Sequence, residues 1–163
     1  EDSGLADASV DLITVAQAAH WLDLDKFYDE ARRIARPQAA IALITYGVLH
    51  LQGGADRHLQ HFYHDTIAGF WPPERRHVES GYRDLPFPFA EIDVPPQVIE
   101  MHWNLAQLMG YLNTWSAVKA AHKALGVNPV DALAEMLSEE WGDPASRRLI
   151  TWPLTVRAGR IRD

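Results

Sequence analysis

The sequence predicts a mixed α/β fold built on parallel strands, and three of its features carry that prediction. Residues 10–16 (Val-Asp-Leu-Ile-Thr-Val-Ala) form an almost continuously apolar run rich in β-branched side chains, and residues 39–46 (Ala-Ala-Ile-Ala-Leu-Ile-Thr-Tyr) form a second. Between them apolar residues recur at helical spacing. Strand, helix and strand within residues 10–46 make a βαβ unit, whose strands must run parallel and whose crossover is right-handed.

The first run reads as a strand covered on both faces. Asp23 or Asp25 supplies an N-cap, and Phe27, Ala31 and Ile34, widened by Tyr28 and Ala35, give an amphipathic helix. Arg32, Arg33 and Arg36 fall in its last turns, where cations favour the negative end of the dipole, and Pro37 is expected to stop it. Gly47 closes the second strand. Gly53-Gly54 and a histidine-rich stretch to Trp71 then lead into Pro72-Pro73, which predicts a helical insertion. From Tyr82 to Trp103, prolines 86, 88, 95 and 96 among Phe87, Phe89, Ile92 and Val94 predict irregular extended chain with one strand. Leu105, Leu108, Met109, Leu112, Val118 and Leu125 predict one long helix ending at Gly126. Asn128 caps the next, with Pro129 at N1 and Asp131 at N3, running to Trp141. Residues 149–161 are β-rich, and Pro153 and Gly159 assign them to an edge, a bulge or a bent hairpin arm. Arg147, Arg148, Arg157, Arg160 and Arg162 gather there, the pattern of charges guarding an edge strand rather than of an anion site.

A chain of 163 residues with 47% hydrophobic residues is expected to bury its own core as a single domain over 1–163. The absence of cysteine excludes a disulfide framework, a thiolate nucleophile and any Cys-ligated metal. A net charge of −7 argues against nucleic acid as a partner, because phosphate binding calls for a basic surface. No run of about 18 apolar residues is present to span a bilayer, and Glu1-Asp2-Ser3-Gly4 does not resemble a secretory signal, so a cytoplasmic location with no membrane partner is expected.

A strand apolar on both faces belongs inside a sheet, yet the chain starts just before it. Another chain is therefore expected to cover its outer edge, which predicts a homo-oligomer formed through that unpaired strand. The ten glycines never fall as G-x-G, so the Gly-rich turn with which open α/β sheets hold a ligand is missing from these residues. The first residue is not Met, and the chain is expected to be a truncated piece of something longer.

Glu1-Asp2-Ser3-Gly4-Leu5-Ala6-Asp7-Ala8-Ser9 and the following strand through Gln17-Ala18-Ala19-His20-Trp21, then Phe27-Tyr28 and Ala31-Arg32-Arg33-Ile34-Ala35-Arg36-Pro37, resemble the second half of a class I S-adenosylmethionine-dependent methyltransferase. Phe62-Tyr63, Phe70-Trp71-Pro72, Thr114-Trp115-Ser116-Ala117, Trp152-Pro153-Leu154 and Arg157-Ala158-Gly159-Arg160 resemble the small-molecule branch similar to trans-aconitate methyltransferases. The resemblance implies the C-terminal portion of a Rossmann-like sheet, from the fourth strand onward, with a helical substrate-cover insertion. It also implies methyl transfer from S-adenosylmethionine to a small molecule, with a carboxylic acid as one candidate. The family's Pro-Gly-Gly between helix and fifth strand is replaced by Pro37-Gln38-Ala39-Ala40. Its Gly-rich cofactor loop would lie upstream of Glu1, so the isolated chain is expected to bind little cofactor and to be inactive.

The resemblance places Gln17 near the methionine end of the cofactor and Trp21 beside it, where an indole can also attract a sulfonium. Packing at the strand-to-helix junction would explain Trp21 equally well. His20 is the candidate catalytic residue, because an imidazole titrating near 6.5 suits proton removal at neutrality; a structural histidine is the competing reading. Tyr46 points toward the same cleft, and Trp71, Tyr82, Trp103 and Trp115 are candidate substrate-cover aromatics. Arg83 and Arg157 could pair with a carboxylate. Two other classes compete. His58, His61 and His64, beside His50, Asp56 and Asp65, suit a metal, but on a helix the first and last lie about 120° apart, so no metal ligand set is assigned. A non-catalytic, self-associating module would use the open strand edge instead.

Overall fold

The structure is a computed structural model and describes residues 1–161; Arg162, the last of the arginine cluster, lies outside them. The chain forms two compact units, the first from residues 1–48, 74–98 and 153–163 and the second from 49–73 and 99–152.

In the first unit, β1 (Val10–Ala16) and β2 (Ala35–Tyr46) pair in parallel around α1 (Leu24–Ile34), as the βαβ reading requires. Asp23 caps α1 by accepting from Lys26 N–H. The helix stops three residues before Pro37, and Arg36 and Pro37 belong to β2 rather than to the last helical turn. Between the pairs Val10↔Ala35 and Leu12↔Ala40 the register shifts, and the extra residues bulge at Gln38, whose φ is +65°. Gln38 thus adopts the left-handed conformation that glycine would take at less cost. β1 is not covered on both faces: none of its residues is fully buried, and Leu12 is 60% exposed. The reason is its position, because β1 ends the strand order and pairs only with β2 among the described residues.

The N-terminal segment is clipped onto α1. Ser3 donates to Glu30, Arg33 bridges Glu30 and Asp7, and the amides of Ala8 and Ser9 bond the Arg33 and Ile34 carbonyls. Arg33, with Ser3, holds the Glu30 carboxyl down at about 2.

β6 (Arg148–Arg160) corrects the edge-strand expectation. Its Ala158–Arg160 segment is flanked on both sides, by β2 antiparallel and by β4 (Ala90–Ile92) antiparallel. Gly159 is needed there, since a Cβ would stand 2.9 Å from the Ala90 carbonyl oxygen and 2.9 Å from Phe87. Pro153 is tolerated because the β2 register starts at Tyr46↔Leu154, just beyond it, and its carbonyl accepts from Gly47 N–H. Tyr28, Ala31, Ala35, Ala39 and Ile41 pack with Phe87 and Phe89 under the sheet, and the Tyr28 hydroxyl donates to the Pro86 carbonyl at 2.7 Å.

In the second unit β3 (His50–Leu51) pairs antiparallel with Ile150 and Thr151 of β6, and β5 (Gln97–Trp103) also joins β6. The expected insertion is helical, with α2 (Gly54–His61) continued by a π turn over Phe62–Thr66; α3 (Arg75–Glu79) belongs to the first unit. The segment after Tyr82 carries two strands, β4 and β5, rather than one. The expected long helix is two, α4 (Leu105–Leu112) and α5 (Ser116–Leu125), because Asn113 and Thr114 side chains bond back to the Met109 and Tyr111 carbonyls and stop the first. Gly126 ends α5 at φ +75°, and α6 (Pro129–Trp141) starts with Asn128 capping and Pro129 in its first turn. Leu59, Leu108, Leu112, Leu133, Leu137 and Trp141 are buried in this unit.

Candidate functional site

The parallel strands of the first unit end together, and the turn that follows β1 carries three candidate residues. Gln17 leaves the strand with φ +54°, its amide still bonded to the Ile44 carbonyl at 2.8 Å. A 3₁₀ turn over Ala19–Trp21 follows and presents His20 and Trp21. Trp21 is 60% exposed and stacks at 4.8 Å, ring centre to ring centre, on His20. A plug at the junction would be covered, and Trp21 is largely uncovered. Beside the turn, Ala16, Ala18, Leu22 and Phe27 line a cleft of about 440 Å³ with Ser3 and Glu30 on its rim.

α3 packs against this turn and leads into Gly81 and Tyr82, both left-handed at φ +65° and +62°. Gly81 is required, because a Cβ would meet Thr155 Oγ1 at 2.9 Å. The strained conformation at Tyr82 drives its ring fully inward, 0% exposed, with its hydroxyl 2.8 Å from His20 Nδ1. Tyr82 therefore touches His20 rather than lining an open substrate surface, a correction to its expected role. Arg157 fixes the same turn: its guanidinium donates to the Tyr82 and Leu85 carbonyls at 2.7 and 2.8 Å, pairs with Glu91 at 2.6 Å and lies 4.8 Å from the Phe87 ring centre. It is thus committed internally and is not the carboxylate anchor expected of it. Arg83 is exposed.

Thr45 completes the site and was not singled out from the sequence, where it reads as one more residue of an apolar strand. Among the described residues it is the buried polar residue of the core, 1% exposed, and its hydroxyl donates to Gln17 Oε1 at 2.5 Å. Gln17 Nε2 donates in turn to the carbonyl of Tyr46, which is half-buried at the end of β2.

Burial, reinforced by Arg75 and His77 and opposed by Glu74, holds the His20 pKa below the usual 6.5. Burial pushes the Tyr82 hydroxyl up, against smaller opposing effects of hydrogen bonds with Thr45 and the Ala19 backbone. Both rings are therefore neutral near pH 7, and His20 is available as a proton acceptor.

The other candidate aromatics gather within the second unit. Trp71 and Trp115 stand 5.5 Å apart with Tyr63 at 5.0 Å from Trp71, and Tyr111 links Trp115 to Trp103 and Trp152. Tyr63, Tyr111 and Trp152 were not singled out from the sequence; their aromatic character was the available signal. The histidines take separate partners, His50 with Asp56, His58 with Glu140 and His61 with Asp65, and no group of three or more metal-ligating side chains forms among the described residues.

A parallel β–turn–α unit with polar groups converging at the strand ends is the ligand-binding end of an open α/β sheet. A methyltransferase-domain family model matches residues 1–43. The chain is 31% identical over 140 residues to a Dictyostelium discoideum protein assigned as a methyltransferase, covering 84% of this chain and 53% of that protein. It thus spans about half the length of that relative. A solved structure from Anaeromyxobacter dehalogenans, assigned as a type II methyltransferase, superposes with a TM-score of 0.92 at 48% identity, over 98% of this chain and 68% of its own. The chain belongs to the class I S-adenosylmethionine-dependent methyltransferases.

Proposed function

We propose that the end of β1 is the methyl-transfer face of an enzyme that methylates a small organic molecule from S-adenosylmethionine. The observation that carries this is the pairing of a neutral, half-buried His20 with the exposed indole of Trp21 at the mouth of the parallel strands. The residues fit the group: an exposed indole face favours a sulfonium, and the cleft beside it offers apolar walls with a polar rim. When bound, the cofactor supplies an electrophilic methyl group. Trp21 then orients the sulfonium end, His20 takes the proton of the nucleophile, and Tyr46, half-buried at the end of β2 beside Gln17, faces the substrate. A carboxylic acid substrate of the trans-aconitate type would depend on Arg83, since Arg157 is spent elsewhere.

The chain has no Gly-rich turn of its own, so it holds the cofactor weakly by itself and acts as part of a longer cytoplasmic protein. Among the described residues no helix is long and apolar enough to cross a membrane. Isothermal titration tests the reading: weak, saturable binding is expected, and tight binding by the chain alone overturns the claim that it lacks the main cofactor contacts.

A second reading rests on the outer edge of β1, unpaired among the described residues, with its exposed Leu12. Strand pairing between two copies would cover it. Sedimentation over a range of concentrations decides: a dimer lost on replacing Leu12 with Lys supports edge pairing, and a monomer throughout removes it.

A further inference from the structure

The His20 ring is held by Tyr82, whose hydroxyl stands 2.8 Å from Nδ1 and whose buried ring lies 5.7 Å from the imidazole, centre to centre. Where that hydroxyl stands is decided by backbone. Tyr82 is left-handed at φ +62°, a conformation that a tyrosine does not hold by its own preference, so groups outside the turn must impose it. Two side chains of β6 do so. Thr155 and Arg157 lie two apart on the strand and project from the same face. Thr155 packs against Gly81. Arg157 gives both hydrogens of Nη1 to the turn, to the Tyr82 carbonyl at 2.7 Å and the Leu85 carbonyl at 2.8 Å. With φ and the direction of the carbonyl both set, the side chain of Tyr82 has one way to leave the backbone, and that way is inward. Nη2 of Arg157 donates to Glu91 of β4 at 2.6 Å, and this hydrogen bond holds the Glu91 carboxyl below its usual range. The Arg157 side chain is only 15% exposed, so it has given up most of its hydration for these bonds.

We propose that Arg157, neutralised by Glu91, is a positioning residue for His20: it fixes the left-handed turn that brings the Tyr82 hydroxyl to Nδ1, and so sets where the imidazole stands at the end of β1. Arg157 bonds the backbone of Tyr82, and Tyr82 bonds the base. The arrangement serves either tautomer of His20, because a phenol hydroxyl donates to Nδ1 or accepts from it. The far side of the turn is tied down separately, by the Tyr28 hydroxyl of α1 donating to the Pro86 carbonyl at 2.7 Å. The charged groups that bear on the ring are Glu74, Arg75 and His77 of α3 and its lead-in, and His77 is itself paired with Asp84 at 2.8 Å. The Trp21 indole stacks on the ring at 4.8 Å. Arg157 bonds instead to Tyr82, Leu85 and Glu91, so its effect on His20 passes through the turn.

The inference deepens the methyl-transfer reading and rests on it for its chemical use. A base must stand within hydrogen-bond reach of the proton it takes, and displacing a reacting group by about 1 Å can cost about 100-fold in rate. Trp21 keeps its place in the 3₁₀ turn when Arg157 is changed, so the loss belongs to the chemical step rather than to the hold on the sulfonium. In the complete protein Arg157→Met should therefore lower kcat by about 10- to 100-fold and leave the KM for S-adenosylmethionine within about twofold.

Ring position is a property of this chain and reads out without turnover, from proton cross-relaxation between the His20 and Tyr82 rings and from the titration of the His20 ring C–H resonances. In the unaltered chain the rings should be in contact and His20 should titrate below 6.5. Arg157→Met should abolish the contact and raise the midpoint toward 6.5 as the imidazole gains water, while the contact between the Tyr28 and Phe89 rings, 5.2 Å apart, shows that the fold is kept. Tyr28→Phe loosens the far side of the turn and should leave the His20–Tyr82 contact in place. An unchanged contact and midpoint in folded Arg157→Met overturns the proposal, and so does an equal disturbance in Tyr28→Phe, which would make any loosening sufficient. Should Arg157→Met fail to fold, Arg157→Gln takes its place; its side chain stops short of the guanidinium nitrogens, so the same loss of contact is expected and its retention contradicts the proposal. Failure of the methyl-transfer reading would leave these ring contacts as they are and show instead as absence of methyl transfer by the complete protein, so the two are separable.

Discussion

Replacing Trp21 with Ala separates a ligand-facing indole from a packed one, and both costs can be worked from its surroundings. Trp21 is 60% exposed, so the fold has little invested in it. A tryptophan offers up to ~250 Å², and about two-fifths of that covered at about 25 cal/mol per Å² bounds the stability loss near 2.5 kcal/mol. The alanine methyl and residual burial in the unfolded chain bring the expected loss to about 1–2 kcal/mol, which a domain of ordinary stability survives. The binding cost comes from removing a cation–π contact worth about 0.5–2 kcal/mol, equivalent to about a 2- to 30-fold weaker Kd for S-adenosylmethionine. The assay pairs a urea melt with a titration read from the cofactor's S-methyl proton resonance. S-adenosylhomocysteine, which lacks the positive charge, should lose less affinity than the sulfonium. An unchanged Kd for the sulfonium alongside the stability loss would refute the assignment of Trp21 to the cofactor.

Three further outcomes follow from the geometry. Because the His20 pKa is lowered in the fold, the unfolded chain binds a proton there that the folded chain refuses as pH falls below about 6.5, so stability declines on acidification through that window; His20→Gln should remove this slope from the urea-midpoint profile, while lowering the neutral-pH value through loss of the ring's contacts with Tyr82 and Trp21. Gly159→Ala drives a methyl into the Ala90 carbonyl and Phe87, at an expected cost of about 1–3 kcal/mol and a fall in Tm of several degrees by calorimetry, whereas Gly110→Ala, with open space at that Cβ, should be neutral or stabilising. Arg157→Met keeps an apolar stem of similar length but removes the guanidinium from over Phe87 and from the Tyr82 and Leu85 carbonyls, costing about 1–3 kcal/mol; hydrogen exchange at residues 82–85 should rise, and unchanged protection there would show that the guanidinium is not what holds the turn.

The elements legible in the sequence are those fixed by short-range patterns. β1, α1 and β2 declare themselves through period and run length, and Gly126 and Asn128-Pro129 mark their helix ends by backbone preference and capping. The place of β6 was not legible, because Pro153 and Gly159 mean an edge only when the partners are unknown. Once β2 and β4 are placed, Pro153 falls just outside the β2 register and Gly159 is the residue that lets Phe87 and Ala90 come close. The break between α4 and α5 did have a local signal in Asn113-Thr114, which the apolar periodicity on either side outweighed.

The site was half legible for the same reason. His20 and Trp21 follow from their place at the end of the first strand. Thr45 and the inward turn of Tyr82 depend on contacts between residues far apart in sequence, at positions 17, 20, 45, 82 and 155. A lone hydroxyl in an otherwise apolar strand is the trace such a contact leaves, and in this chain it marks the buried residue that bonds the Gln17 side chain.

The central claim is that the end of β1 receives the cofactor, and amide and indole chemical-shift mapping of the labelled chain during titration with S-adenosylmethionine tests it most directly, since it registers weak binding. The account predicts that the Trp21 indole N–H, His20 and the amides of Ala16 to Ala18 move first and saturate together. Shifts confined to the aromatic cluster around Trp71 and Trp115, with Trp21 and His20 still, would contradict it.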